Sequence, residues 1–215
     1  MEVLLDLEFH AWGIFPQTVP GLKGIVFAPF IHGSFSHLIS NSLPLLVLGS
    51  ALFYFYRDVA FRVFILGLLI TGIWVWIIAR PSFHIGASGV LYSIAAFLFV
   101  SGIIRSHPRL MALSLLVAFL YGGMVWGIFP IREHISWESH LMGMLSGALL
   151  ALFFKEHGPQ RPLYSWELEE ETGEEWEGDD GGKDDLDKGE DDGDEKEDEP
   201  GSSKFVYHYI RRKDQ

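Results

Sequence analysis

The chain alternates long apolar runs with short polar segments between Leu38 and Phe154. Five apolar runs stand out, at about residues 38–56, 60–79, 86–104, 110–129 and 138–154. Each run is close to the length that an α-helix needs to cross a hydrocarbon core of about 30 Å, at a rise of about 1.5 Å per residue. The pattern therefore predicts an all-α, polytopic membrane helical bundle with five visible spans.

Basic residues predict how these spans are oriented. By simple alternation, one side of the membrane receives Arg57, Arg62, Arg105, Arg109, Lys155 and Arg161, whereas the other side receives only Lys23, Arg80 and Arg132. The side richer in arginine and lysine is normally cytoplasmic. We therefore predict an integral membrane protein with a cytoplasmic C-terminus, and the compact size without an organelle-targeting signal favours a bacterial plasma membrane.

Charge separates the C-terminal part of the chain from the apolar part. Residues 167–199 hold 20 of the 28 acidic residues and three lysines, in a chain of 215 residues with a formal net charge of −12. Such a segment has too little apolar surface to offset the entropy of ordering, so we predict an acidic disordered tail over residues 158–201. An aromatic and basic patch follows at residues 202–215 and could contact anionic lipid or the tail itself. These boundaries leave residues 37–157 as the transmembrane core.

Polar side chains interrupt the apolar runs at one end only. The first run begins within "FIHGSFSHLISNS", the third within "GASG" and the fifth within "ESHLMGMLSG". Polar groups inside a membrane are costly, so each needs a reason. Counted from the cytoplasmic charges, Asn41, Ser88 and His140 stand 16, 17 and 15 residues in, or roughly 24, 26 and 23 Å along straight helices. We predict that three helices bring these side chains to one height below the outer surface.

These residue types have the chemistry of a serine hydrolase. A serine hydroxyl becomes nucleophilic when a neighbouring imidazole takes its proton, which points to Ser88 as nucleophile and His140 as general base. The tetrahedral intermediate needs hydrogen-bond donors, and His37 and Asn41, four residues apart on one helix face, could both serve. Tyr92 lies one turn after Ser88 and could stack on His140.

A third catalytic residue is not predicted. No aspartate is placed to complete a triad, and Glu138, two residues from His140, is predicted to face elsewhere. The absence of cysteine excludes disulfides and thiolate metal sites. The sequence therefore predicts a Ser-His dyad.

Glycines would let the helices approach each other closely. Gly86 and Gly89 flank the serine without side-chain bulk, and on the fifth run His140, Gly143 and Gly147 follow one face at helical spacing. Such a seam of small residues allows the backbones of two membrane helices to touch. It would press the fifth helix against the third and bring the imidazole to the serine.

Other interpretations stay open at this point. A serine in a membrane span usually packs helices together through a hydrogen bond, and His37 with His140 could hold a metal ion, although no third ligand stands at their height. A channel or transporter could use the polar cluster as a pathway, but nothing ionisable continues through the lower half of the spans. Outer-loop residues are predicted to be solvated (His84, His134) or to anchor the chain at the interface (Arg80, Arg132, Glu133).

Taken together in this order, the motifs resemble those of the rhomboid family of intramembrane serine proteases. The matching residues span about residues 24 to 155 and are His32-x4-His37-x3-Asn41, Gly86-x-Ser88-Gly89 with Tyr92, and His140-x2-Gly143-x3-Gly147. The resemblance implies a rhomboid-like bundle whose water-filled cavity opens away from the cytoplasm. It implies the catalytic, oxyanion and stacking roles given above, with His32 as a structural residue that supports the loop before the first run. It also implies transmembrane protein substrates in the lipid bilayer, no metal or nucleotide cofactor, and no nucleic-acid partner.

The chain departs from the family pattern in two places. A rhomboid core has six spans, and the first 36 residues offer only the short, acidic "EVLLDLEFHAWGIF". We therefore interpret residues 1–36 as the remnant of a first span and the outer loop, which leaves five spans of an expected six. The Trp-Arg pair that many members carry in that loop has no counterpart, and Lys23 is a loose substitute. A catalytically silent rhomboid-like protein that binds membrane clients is the alternative, and the intact Ser88 and His140 argue against it.

Overall fold

Helices make up most of the computed structural model, which describes residues 9–131 and 136–161. Five long helices occur in these ranges: α1 (Phe35–Phe55), α2 (Arg57–Ile78), α3 (Ser88–Arg105), α4 (Pro108–Tyr121) and α5 (Trp137–Phe153). Short helical turns precede α1, at Phe9–Trp12, Pro20–Lys23, Gly24–Phe27 and Ala28–Phe30. Within the described ranges the β-structure is an isolated bridge between Ile14 and His84. The predicted all-α class is confirmed.

The fourth apolar run does not stay α-helical to its end. After Tyr121 the chain tightens into a 3-10 helix, Gly122–Ile128, which we call the 3-10 segment. Two successive glycines open this segment, and glycine lowers the stability of an α-helix by about 1 kcal/mol relative to alanine. None of its residues is fully buried, although the Met124 side chain packs against the core cluster.

In the part of the chain that the structure describes, four helices are long and apolar enough to cross a membrane. They are α1, α2, α3 and α4 together with the 3-10 segment, and α5 is shorter at 17 residues. The helical bundle is therefore that of an integral membrane protein. The number of spans stays a prediction.

The core lies around α3, which packs against each of the other four long helices. Its apolar side chains meet buried residues of α1 and α2 in one cluster, where Leu48, Leu52, Val63, Phe97 and Leu98 are almost completely inaccessible to solvent. Because α3 is central, a residue at its first turn is held by the whole bundle. Ser88 is the first residue of α3.

The contact between α3 and α5 is close enough for backbones to touch. A methyl group added at Gly143 would overlap the carbonyl oxygen of Gly89, and one added at Gly147 would overlap the carbonyl oxygen of Ser93. The small-residue face of α5 thus lies directly on α3, as expected for membrane helices that pack through glycine.

Hydroxyl groups link three helices in the same region. Ser146 of α5 lies 3.0 Å from the Ser93 hydroxyl of α3 and 2.8 Å from the Thr71 hydroxyl of α2. All three side chains are buried. Since polar groups without a partner are costly away from water, this hydroxyl cluster fixes how the three helices face one another.

The C-terminal end of α5 is held by a buried arginine. Arg105, the last residue of α3, is 5% exposed and donates to the carbonyl oxygens of Phe154, His157 and Pro159, the last at 2.9 Å. Its Nε also donates to the Ser101 hydroxyl at 2.9 Å. These carbonyls follow or end α5 and lack helical partners of their own, so the guanidinium caps the helix.

Several predictions lie outside the described residues. They concern Arg132, Glu133 and His134 in the outer loop, residues 1–8, and the acidic tail and C-terminal patch from residue 162 onward.

Candidate active site

Ser88 stands at a sharp turn at the start of α3. Gly86, two residues earlier, has φ of 100°, a left-handed conformation that glycine adopts without strain. The Gly86 N–H donates to the Ala28 carbonyl at 2.8 Å, which fixes the turn. As the first helical residue, Ser88 has a backbone N–H with no acceptor in its own helix, at the positive end of the helix dipole.

The Ser88 hydroxyl and the His140 imidazole are in hydrogen-bonding contact. Ser88 Oγ lies 2.9 Å from His140 Nε2. His140 is the fourth residue of α5 and is 8% exposed, whereas Ser88 is half-buried. A nucleophile and base pair needs a heavy-atom separation of about 2.6–3.2 Å, so this pair is in range for proton transfer.

Two further contacts hold the His140 ring. Tyr92 stacks on it with ring centroids 4.2 Å apart and planes 7° from parallel. On the opposite nitrogen, Nδ1 lies 2.9 Å from the carbonyl oxygen of Gly127. A carbonyl oxygen can only accept, so Nδ1 carries the proton and Nε2 presents a lone pair to the serine.

His37 and Asn41 lie beside the turn that carries the serine. A methyl group added at Gly86 would sit 2.8 Å from His37 Cε1 and 3.6 Å from Asn41 Nδ2, so both side chains pass close to this glycine. Asn41 is buried and donates one N–H to the His37 carbonyl at 3.0 Å. An amide nitrogen has two hydrogens, so a second donor remains.

His32 packs against His37 from the loop before α1. Their rings meet edge to face, with centroids 5.1 Å apart. Burial, followed by the proximity of the His37 ring, lowers the pKa of His32 below its ordinary value. His32 therefore packs against His37, the side chain that lies next to the turn at Gly86.

The prediction that His84 is solvated is wrong. His84 is 2% exposed, its Nδ1 lies 2.6 Å from the Ser136 hydroxyl, and its Nε2 lies 3.1 Å from the Arg80 carbonyl. In the loop between α2 and α3, His84 also pairs with Ile14 through two backbone hydrogen bonds, which hold this loop against the N-terminal segment. Ser136 caps the N-terminus of α5, so His84 connects the turn of the serine to the helix of the imidazole.

A salt bridge lies next to this connection. Arg80 Nε is 3.2 Å from Glu138 Oε1, and the Glu138 side chain is 7% exposed whereas that of Arg80 is 42% exposed. The carboxylate two residues from the imidazole is therefore engaged with Arg80. It stabilises the first turn of α5, where a negative charge is favoured by the helix dipole.

The N-terminal loop contains a contact that the sequence did not reveal. The Lys23 ammonium lies 4.7 Å from the centre of the Trp12 ring, and Trp12 meets Phe27 edge to face at 5.2 Å. A cation over an indole face is stabilised by the ring's quadrupole. Lys23 thus has a tryptophan partner from a distant position in the loop.

A cavity of about 320 Å³ opens beside the stacked rings. Its lining combines apolar and aromatic side chains with the candidate base, His140; the residues are Tyr92, Gly123, Met124, Trp126, Gly127, Phe129, Ile131 and His140. A concave, mostly apolar site with few polar groups is typical of ligand-binding pockets. Within the described residues no three histidine, cysteine or acidic side chains come together as a metal site would require.

These features define a polytopic helical membrane protein with a serine and a histidine in contact at one end of the bundle. The rhomboid-domain family model matches residues 21–157, and the chain belongs to this family. It is 36% identical over 153 residues to uncharacterized proteins of Mycobacterium bovis and Mycobacterium tuberculosis, a match that covers 65% of this chain and 62% of each relative. An uncharacterized protein of Mycobacterium leprae is 34% identical over 140 residues, or 60% of this chain and 55% of the relative. The match thus spans between 55% and 62% of the length of these relatives.

Proposed function

We propose that the protein is an intramembrane serine endopeptidase that cleaves transmembrane protein substrates with a Ser88–His140 dyad. The observation that carries the proposal is the 2.9 Å contact between Ser88 Oγ and His140 Nε2, on an imidazole whose other nitrogen faces a carbonyl. Packing alone does not require a lone pair aimed at a hydroxyl. Nucleophilic catalysis does.

Acylation begins as Nε2 of His140 takes the hydroxyl proton of Ser88. Oγ bonds to the carbonyl carbon of the scissile peptide, and the negative charge moves to the carbonyl oxygen. The imidazolium then gives its proton to the departing amide nitrogen, and the C–N bond breaks. An ester on Ser88 and a free amine remain.

Deacylation repeats the same transfers with water. His140 takes a proton from water, whose oxygen attacks the ester carbon, and the proton returns to Ser88 Oγ as the acid leaves. In both steps we assign the developing oxyanion to the Ser88 N–H, the second N–H of Asn41, and His37, since all three border the Gly86 turn. Tyr92 keeps the imidazole plane in place by stacking.

The proposal extends to the location of the reaction. We propose a bacterial plasma membrane with the C-terminus in the cytoplasm, on the asymmetric distribution of arginine and lysine. The polar side chains then lie toward the outer leaflet, so the proposed substrates are cut near the outer ends of their helices.

The test is cleavage of a transmembrane reporter by the purified protein in liposomes. We expect the wild type to cleave and Ser88→Ala or His140→Ala to lose activity by about 10³-fold or more. Ser42→Ala, at an exposed position on α1, is the matched control and keeps activity. Persistent cleavage by Ser88→Ala would reject the mechanism. Clients that co-purify with an inactive wild type would favour the silent client-binding protein instead.

A further inference from the structure

Among the described residues, the acceptor that faces the His140 imidazole at Nδ1 is a carbonyl oxygen and not a carboxylate. Nδ1 donates to the carbonyl oxygen of Gly127 at 2.9 Å, and Glu138 is engaged with Arg80. In serine hydrolases a third group normally fixes the tautomer of the base and steadies the imidazolium. In this protein the group that faces Nδ1 of His140 is the backbone carbonyl oxygen of Gly127.

Glycine at position 127 allows this approach. A methyl group added there would overlap the Tyr92 hydroxyl and lie 2.9 Å from His140 Nδ1. Only a residue without a side chain lets the backbone reach the imidazole and the tyrosine at once. The same segment opens with two further glycines, Gly122 and Gly123, where an added methyl group would meet nothing within 4 Å.

The Gly127 carbonyl belongs to the 3-10 segment Gly122–Ile128. The segment has no buried side chain among the described residues, yet two of its carbonyls hold catalytic-site residues. Met124 O accepts from the Tyr92 hydroxyl at 2.6 Å, and Gly127 O accepts from His140 Nδ1. The 3-10 segment that follows α4 is thus hydrogen-bonded to both stacked rings, Tyr92 and His140.

We propose that the Gly127 carbonyl is the positioning group of the dyad, in the place that a carboxylate holds in a Ser-His-Asp triad. This inference rests on the proposed function. The carbonyl keeps the proton on Nδ1, so Nε2 is free to take the serine proton, and its negative end faces the imidazolium after transfer. Since the carbonyl belongs to the 3-10 segment that follows α4, the position of this segment sets the orientation of the base.

The first test compares Gly127→Ala with Gly122→Ala. We expect Gly127→Ala to lower kcat for reporter cleavage by about 10-fold or more with KM within about twofold, since the added methyl displaces the imidazole from its acceptor. Labelling by a small fluorophosphonate should fall in parallel, and Gly122→Ala should match the wild type in both. Equal kcat for the two variants would overturn the inference.

A second variant weakens the acceptor without adding atoms. Replacing Ile128 by its α-hydroxy acid turns the Gly127 carbonyl into an ester carbonyl, a poorer acceptor. We expect kcat to fall about 3- to 10-fold, as for the loss of part of one hydrogen bond. The same exchange at Gly123, which alters the Gly122 carbonyl, is the control. Equal activity in the two esters would contradict the inference.

A readout independent of turnover separates this inference from the proposed function. In protein labelled with ¹⁵N-histidine, we expect His140 to carry its proton on Nδ1, and that proton resonance to shift in Gly127→Ala but not in Gly122→Ala. A proton on Nε2 would overturn the inference even in an active protein. An inactive wild type with the Nδ1 proton in place would contradict only the proposed function.

Discussion

A polar side chain forms several hydrogen bonds near each end of α5. The two sites differ in whether a lone pair remains available beside a cavity. At the C-terminal end the Arg105 side chain is 5% exposed and donates to three carbonyls and a hydroxyl. At the N-terminal end the His140 ring makes one hydrogen bond at each nitrogen and borders a cavity of about 320 Å³. A buried cluster whose donors are occupied by hydrogen bonds, such as that of Arg105, stabilises the fold. A site with a lone pair on a base beside a cavity, such as that of His140, can take part in a reaction.

Between these ends the glycine face of α5 sets the distance from α3. Gly143 and Gly147 touch the backbone of α3, and Ser146 bonds across to α2 and α3. The separation of Ser88 and His140 is therefore fixed by rigid packing. The hydrogen bond of His140 Nδ1 depends instead on the position of the 3-10 segment, which carries its acceptor, the Gly127 carbonyl. The comparison predicts that changes in the glycine face or at the C-terminal end of α5 alter stability, and that changes at its N-terminal end alter the proposed reaction.

The largest effect is expected from Gly147→Leu. The side chain would overlap the Ser93 carbonyl and separate α3 from α5, so we expect the folded protein to lose about 3 kcal/mol or more and fluorophosphonate labelling to disappear. Unfolding in detergent, followed by circular dichroism, measures the stability. Gly49→Leu is the control, because an added Cβ meets nothing within 4 Å there. Wild-type stability in Gly147→Leu would contradict the close seam.

The next effect is expected from Arg105→Met at the C-terminal end of α5. The carbonyls of Phe154, His157 and Pro159 lose the guanidinium as a donor, and Phe154 O keeps the His157 N–H, so we expect a loss of about 2–4 kcal/mol in the free energy of unfolding. The labelling rate per folded molecule should stay at the wild-type value. Arg109→Met, at an exposed position of α4, is the control. A slower reaction in folded Arg105→Met would show that the two ends of α5 are not independent.

A smaller effect is expected from Ser146→Ala in the middle of the seam. The Thr71 and Ser93 hydroxyls lose their shared partner, which should cost about 0.5–1.5 kcal/mol, in the range measured for hydrogen bonds between membrane helices. The same unfolding experiment measures it against Ser42→Ala on α1. No change in stability would mean that the three hydroxyls do not hold the helices together.

The smallest effect is a dependence of stability on pH through His84. Burial lowers the pKa of His84, with the Arg80 charge acting in the same direction and the Arg80 carbonyl and Glu138 against it. Because the unfolded chain then binds the proton more readily, this stability is present above the unfolded pKa of about 6.5 and is lost as pH falls below it. We expect the thermal midpoint to fall between pH 7 and pH 5, and to fall less in His84→Gln. The remaining slope includes His32, whose pKa burial also lowers. An equal slope in both proteins would contradict the role of His84.

Sequence patterns predicted the fold better than the surroundings of the site. The apolar runs predict the helices because span length and hydropathy act along the chain, and the bundle confirms that class. The fourth run predicts one span; in the structure its α-helix ends at Tyr121, and the 3-10 segment continues the candidate span to Ile128. The two glycines that follow were the signal for this change.

Other features have no local signature. The buried position of His84 follows from partners at Ile14 and Ser136, far away in the chain, so its outer-loop position predicted solvent instead. The Gly127 acceptor is a backbone oxygen, which every residue carries, so no residue type marks it. The side chains of Ser88 and His140 are chemically distinctive, and their roles remain the proposal made here.

Whether Ser88 is a nucleophile activated by His140 is tested most directly by mapping the adduct of a fluorophosphonate probe by peptide mass spectrometry. In the wild type, with Oγ 2.9 Å from Nε2, we predict that Oγ of Ser88 displaces fluoride and carries the phosphonyl group. No adduct should form in folded His140→Ala. An adduct on a different serine, or an undiminished adduct on Ser88 in His140→Ala, would contradict the dyad.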